Sequence, residues 1–261
     1  MKKSLPWIKH NMQSIDIITV TKNSSDELAL TCASIIRIVQ ENVGLDIGWI
    51  IIDGGDDLET PRIVENAWLV LGNRLVHKRQ TDSGIYQAMN RGLQIVSRES
   101  YIHINSGDVL LPEIVTALRA MQKGFVLCFR SQWHSKTGAI LEFSGRNRYC
   151  YFFGRMPNHQ GMIFPSSFRI WQYREDLEIS SDQDLKFRLA NKGLLKFSDL
   201  VIVSCLEGGV STLRLSARDV LSRAKESREV FLNNFPRFHA EFLALLYAIR
   251  YLSRLQIVLR R

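Results

Sequence analysis

Five short runs of apolar, mostly β-branched and aromatic residues are spaced along the first half of this chain with helical periodicity between them. That alternation limits the fold more than any other feature. Ile15 to Val20 reads as a buried strand, and Trp49 to Ile52 as a second that stops at the turn Asp53 to Asp57. Arg74 to Lys78 is a third. Tyr101 to Ile104 is a fourth, stopping at Asn105 to Asp108, and Phe125 to Phe129 is a fifth. The first intervening helix is expected to open on a Ser24/Glu27 capping box, and the second on Thr60-Pro61. A third is expected over Gly84 to Val96, and a fourth opens at Pro112. Strands alternating with helices predict an α/β domain, a largely parallel sheet covered on both faces. Ligands of such sheets bind beyond the carboxyl ends of the strands, which is where the acid- and glycine-bearing turns fall.

The second half is less regular. Ser181 to Ala190 reads as a helix capped by Ser180 or Ser181, and Leu195 to Cys205 as a strand pair or one long strand. From Ala217 onward the pattern is helical, with a break near Pro236. With 261 residues, 46% apolar and 23% charged, the chain can bury a sizeable core, which excludes a disordered protein. The net charge of +8 is uneven: Arg214 to Arg261 carries ten Lys/Arg against four Asp/Glu, and the rest 24 against 22. Base-reading motifs are absent, so no nucleic-acid partner is expected. Arginines beside the apolar run Phe242 to Ile249 suit a helix lying on an anionic membrane surface, and equally a helix packed on the main domain with its arginines in water. No apolar stretch is long enough to span a bilayer, and the lysines near the N-terminus precede no signal-peptide core. The four cysteines, Cys32, Cys128, Cys150 and Cys205, form no CxxC pair, so they read as buried thiols in a reducing cytosol rather than zinc ligands.

Five places carry candidate chemistry, and each admits a plain structural reading. Asp53 can accept hydrogen bonds from a nucleotide, or bond its own turn. Asp108, after Gly107, can hold Mg²⁺ or Mn²⁺ whose other ligands are phosphate oxygens and water, or be a turn residue. In the segment Asp82 to Gly92, Asn90 lies mid-helix, where its modest propensity invites a tertiary explanation. Asp182 can be a general base, or an acid favoured in the first turn of a helix. His159 with Gln160 can line a substrate site, or pack in a loop.

Taken in order, these segments resemble family 2 of the sugar-nucleotide glycosyltransferases, and within it the bacterial colanic acid and exopolysaccharide enzymes. The matching stretches are IDIITVTKN, WIIIDGGDDLET, DSGIYQAMNRGL, YIHINSGDVL, NHQGMIFP, SSDQDLKFRLANKG and EGGVST, spread over about residues 15–213. The resemblance implies a GT-A fold, Rossmann-like, with a catalytic domain over 1–213 and a basic helical extension over 214–261. It implies an inverting sugar transfer from a nucleotide-sugar donor to a lipid-linked saccharide acceptor, at the cytoplasmic face of the cell membrane. It assigns Asp53, Asp82 and Asn90 to the donor side, Asp108 to the metal, Asp182 to catalysis as base, and His159 and Gln160 to the acceptor side. One departure stands out. Asp108 is the only acid of its turn, where many members have two or three. Two rival classes remain: a catalytically degenerate scaffold of a polysaccharide assembly, and a nucleotidyltransferase. Against the latter, the loop after the first strand has no glycine-rich phosphate cradle.

Overall fold

The structure, a computed structural model, describes residues 14–79, 81, 84–135, 137–144, 151, 153–154, 156–207 and 216–259. Asp82, Cys150 and most of the EGGVST segment lie outside the described residues.

The first half follows the expected alternation. Strand β1 (Ser14–Thr21) leads to helix α1 (Ser25–Glu41), then β2 (Asp46–Asp53), α2 (Thr60–Leu71), β3 (Leu75–Arg79), α3 (Ile85–Ile95) and β4 (Ser100–His103). These four strands pair in parallel in the order β3-β2-β1-β4. Their apolar runs are continuous because both faces are buried. Ile15, Ile17, Trp49 and Ile51 point into the layer containing Leu28 and Ile35 of α1, whereas Ile18, Val20, Ile50 and Ile52 point into the layer containing Met89 and Leu93 of α3. Helix α3 lies so close to β1 that a Cβ on Gly92 would sit 2.5 Å from Ile18 Cγ2.

Beyond β4 the sheet becomes mixed. The chain adds β5 (Val109–Leu110), α4 (Ile114–Arg119), β6 (Val126–His134), β7 (Ile140–Ser144), β8 (Met162–Pro165), α5 (Ser181–Asn191) and β9 (Leu195–Leu206). Strand β8 inserts antiparallel between β4 and β6, β9 runs parallel to β6 on its other side, and β5 and β7 add antiparallel. This gives nine strands among the described residues, and residues 195–206 form one long strand, one of the two forms expected. The antiparallel insertion brings the segment that precedes β8, Asn158 to Gly161, to the carboxyl edge of β4.

The chain ends in two helices, α6 (Ala217–Asn234) and α7 (Arg237–Leu259), separated at Pro236 as the sequence predicts. Phe231, Phe235, Ala240 and Leu243 share a small core with Phe187 of α5.

Three helix starts differ from the expected caps. Ser24 holds the N-cap position of α1 without capping it, and its hydroxyl instead meets those of Thr21 and Ser106. Asp57, not Thr60, supplies the carboxylate at the start of α2, accepting from Thr60 N at 2.7 Å and Thr60 Oγ1 at 3.0 Å. Ser180 makes no side-chain cap on α5. The Glu226 carboxylate of α6 instead holds the approach to the helix, accepting the backbone N–H groups of Glu178, Ile179 and Ser180.

Candidate active site

At the carboxyl edge, Asp53 is the last residue of β2, in register with Thr21 at the end of β1. Its side chain is 1% exposed. Oδ1 accepts from Gly55 N at 2.9 Å, so Asp53 does close its own turn. Oδ2 faces His77 Nε2 at 3.4 Å and Arg79 Nε at 3.8 Å, both on the neighbouring β3. Asn23, in the left-handed region at φ 51°, accepts from the Asp56 and Asp57 backbones, tying the loop after β1 to the loop after β2. Nothing in the local sequence marks Asn23 for this, because the contact is tertiary.

The turn after β4 is held from behind by Thr31 of α1. Its buried hydroxyl donates to Asp108 O at 2.8 Å and accepts from Gly107 N at 3.0 Å. Gly107 has φ 95°, and a Cβ there would stand 2.7 Å from Leu206 Cδ2, so the turn needs glycine. Asp108 is buried, with Oδ1 accepting from Leu206 N and Oδ2 from Asn105 N. Burial pushes its carboxyl up to about 7, against the hydrogen bonds from the Leu206 and Asn105 backbones and the Gln160 side chain. No basic side chain contributes. In the same turn, Asn105 Oδ1 is buried without a hydrogen-bond partner. A cation-poor carboxylate beside an unused amide oxygen suits a hard divalent ion. Among the described residues no three His, Cys, Asp or Glu side chains cluster into a self-sufficient metal cage, so such an ion would need ligands from phosphate or water.

The third group centres on α5. Asp182 Oδ2 accepts from Lys186 Nζ at 2.7 Å, one helical turn away, and the Tyr86 hydroxyl of α3, which donates to Ile179 O at 2.5 Å, stands 3.3 Å from Oδ1. Lys186 is buried and also donates to Pro157 O. Burial raises the Asp182 carboxyl, but Lys186, His159 and the Gln183 backbone outweigh it, so the group is held below the usual carboxylate range. Burial holds His159 down to about 4, which leaves it neutral near pH 7. Lys186 is therefore the working cation. About a quarter of the Asp182 side chain (28%) still reaches solvent.

His159 connects the groups. Its Nε2 pairs with the Tyr173 hydroxyl, and its ring stacks on His103 with centroids 4.8 Å apart. His103, at the end of β4, is buried, and among the described residues neither ring nitrogen has a hydrogen-bond partner. Asn90 is saturated: its amide spans the Tyr173 backbone N and O at 2.8 and 2.9 Å and donates to Glu175 Oε1 at 2.9 Å. Its place is to fix the strap that carries Tyr173.

The described candidates thus form one continuous line. It runs from Asp53 through Thr21 and Ser106 to Asp108, through Gln160 to His159, and on to Asp182 and Tyr86. Tyr86 lies within the segment the sequence marks; the sequence reading missed Lys186, whose available signal was its place four residues after Asp182. Thr31, His103, Tyr173 and Glu226 had no local signal.

No protein-family model matches the chain. Over 82 residues, 31% of its length, it is 33% identical to the PGL/p-HBAD biosynthesis glycosyltransferase of Mycobacterium tuberculosis strain H37Rv, and equally to that of Mycobacterium bovis BCG. The matched stretch spans 32% of each relative. Among solved structures, residues 1–349 of TarS of S. aureus superpose with a TM-score of 0.63 at 13% identity, covering 92% of this chain and 72% of that fragment. TarS in complex with UDP-GlcNAc gives 0.62 at 14%, covering 92% and 73%. The mannosyltransferase PcManGT from Pyrobaculum calidifontis, in complex with GDP-Man and Mn²⁺, gives 0.59 at 13%, covering 92% and 74%. The chain shares the mixed α/β fold of these proteins.

Proposed function

We propose that this protein is an inverting glycosyltransferase that moves a sugar from a nucleotide-sugar donor onto a lipid-linked saccharide in exopolysaccharide assembly, at the cytoplasmic face of the membrane. The observation that carries this reading is the line from Asp53 to Asp182. A nucleotide-side carboxylate, a cation-poor carboxylate and an ionised, partly exposed carboxylate follow one another along the ligand-binding edge of the sheet. The GT-A fold and the family 2 resemblance belong to the same reading. So do the complexes of the structural neighbours with UDP-GlcNAc and with GDP-Man and Mn²⁺.

In this reading Asp53 and Arg79 grip the nucleoside, and Asp82 with Asn90 shapes the donor pocket, Asn90 by fixing the Tyr173 strap. Asp108 with Asn105 would hold Mg²⁺ or Mn²⁺, which when bound would supply positive charge for the diphosphate leaving group. Asp182 removes the proton of the acceptor hydroxyl as its oxygen attacks the anomeric carbon from the face opposite the leaving group, which inverts the configuration. His159 and Gln160 stand on the acceptor side, His159 offering a neutral ring.

The test is thermal stabilisation by sugar nucleotides with and without Mn²⁺. A cognate donor at a hundred times its Kd should add about 2.7 kcal/mol, and less without the metal. Failure of every UDP- and GDP-sugar to stabilise the protein would remove the donor assignment.

Lys186 gives a pH prediction. With its charge present, Asp182 stays ionised through the neutral range. In Lys186→Met burial is opposed only by His159 and the Gln183 backbone, so the carboxyl rises. Activity that needs ionised Asp182 is then lost at a higher pH on acidification, so the acidic limb of the kcat/KM profile moves up. Lys186→Arg should move it less. A limb unmoved in Lys186→Met would mean that another group titrates.

A further inference from the structure

Helix α7 has two apolar faces. Ala240, Leu243, Ala244 and Tyr247 pack inward against α6 and α5. Phe238, Phe242, Leu245, Ile249 and Leu252 recur at helical spacing on the opposite side, and each is 50–91% exposed. Leu246 borders the same stripe, and Phe153 is exposed in the segment whose Gly154 packs on Tyr247. Scattered surface hydrophobics need no explanation, but a contiguous stripe of this length does.

We infer that the outer face of α7 is a docking surface for an anionic lipid bilayer, with the helix lying in the plane of the interface. Charge selects this occupant. From Arg237 to the end, the sequence carries five arginines against the single acid Glu241, which is paired with Arg228 of α6. Arg237 and Arg250 are exposed on opposite flanks of the stripe, where long cationic side chains reach headgroups. Among the described residues no helix is long and apolar enough to cross a membrane, so α7 lies on the bilayer rather than through it.

The inner face of α7 connects this surface to the candidate base. The Tyr247 hydroxyl donates to Gly154 O and accepts from Gln183 Nε2, and Gln183 directly follows Asp182. Glu226 of α6 holds the loop just before it. Docking would therefore set the start of α5, which carries Asp182, against the inner side of the helix that meets the lipid; this rests on, and deepens, the reading of a lipid-linked acceptor.

The experiment is co-sedimentation of the full chain with phosphatidylcholine vesicles, with and without phosphatidylglycerol. It needs no turnover, so it can fail independently of the transferase reading. The wild type should bind the anionic vesicles and lose binding in high salt. The variant Phe242→Ser/Leu245→Ser/Ile249→Ser, altered only at exposed positions, should keep its Tm and bind at least ten-fold less. Arg237→Gln/Arg250→Gln should lose the preference for anionic over neutral vesicles. Equal binding by the triple variant would overturn the inference. So would a wild-type dimer in solution that binds no vesicles and that the triple variant makes monomeric.

Discussion

Replacing Asp182 by Asn should lower turnover by about 10²–10⁴-fold, the usual loss when a general base is removed, and leave donor affinity nearly unchanged. The amide keeps the shape of the carboxylate and can still accept from Lys186 Nζ, but it cannot take up a proton. The nucleotide contacts proposed for Asp53 and the metal turn lie at the far end of the line. The variant has one structural risk, because it leaves buried Lys186 without a counter-charge. Removing one partner of a fully buried pair costs about 3–5 kcal/mol. Here the penalty should be smaller, since part of Asp182 is exposed and Lys186 keeps a bond to Pro157 O. A typical domain stability of about 5–15 kcal/mol absorbs that loss. The double variant Asp182→Asn/Lys186→Met removes the unpaired charge and should recover Tm without recovering turnover. Near-normal turnover in Asp182→Asn would move the base elsewhere. Asp184 is then the next to try, although it is buried and engaged with Arg188 and Asn234.

Asp108→Asn should abolish metal-dependent transfer, a loss on the order of 10²–10³-fold, comparable with removing one group that stabilises charge in a transition state. Its donor affinity in Mn²⁺ should fall to that of the wild type in EDTA. The turn should survive, because Thr31 and Gly107 hold it through contacts that do not involve the Asp108 carboxylate. Full activity in this variant, or wild-type activity indifferent to EDTA, would dismiss the metal role.

The parallel half of the sheet was legible because its strands are buried on both faces and written as unbroken apolar runs. The helical pair at the end was legible because Pro236 interrupts a long helical pattern. The insertion of β8 between β4 and β6 was not, since strand order depends on pairings far apart in sequence. The helix starts of α1 and α5 were misjudged for a related reason. Ser24 and Ser180 have suitable local chemistry, but Ser106 and Glu226 engage these segments once the chain is folded. At α2 the signal was local: Asp57, three residues before Thr60, takes the bond. In the candidate site, the acids stood out by their place at strand ends and a helix start. Thr31 and Tyr173 could not, because each acts on a segment more than 70 residues away, Thr31 on the metal turn and Tyr173 on Asn90.

The central claim is that one catalytic line turns over a nucleotide sugar, and the choice between enzyme and scaffold rests on it. The most direct measurement is release of nucleoside diphosphate from the stabilising sugar nucleotide, with Mn²⁺ and lipid-linked saccharides in anionic vesicles. The account predicts acceptor-dependent release with inverted anomeric configuration in the product, absent in Asp182→Asn. Tight donor binding by the wild type with no release for any acceptor offered would contradict it and favour a nucleotide-sugar-binding scaffold.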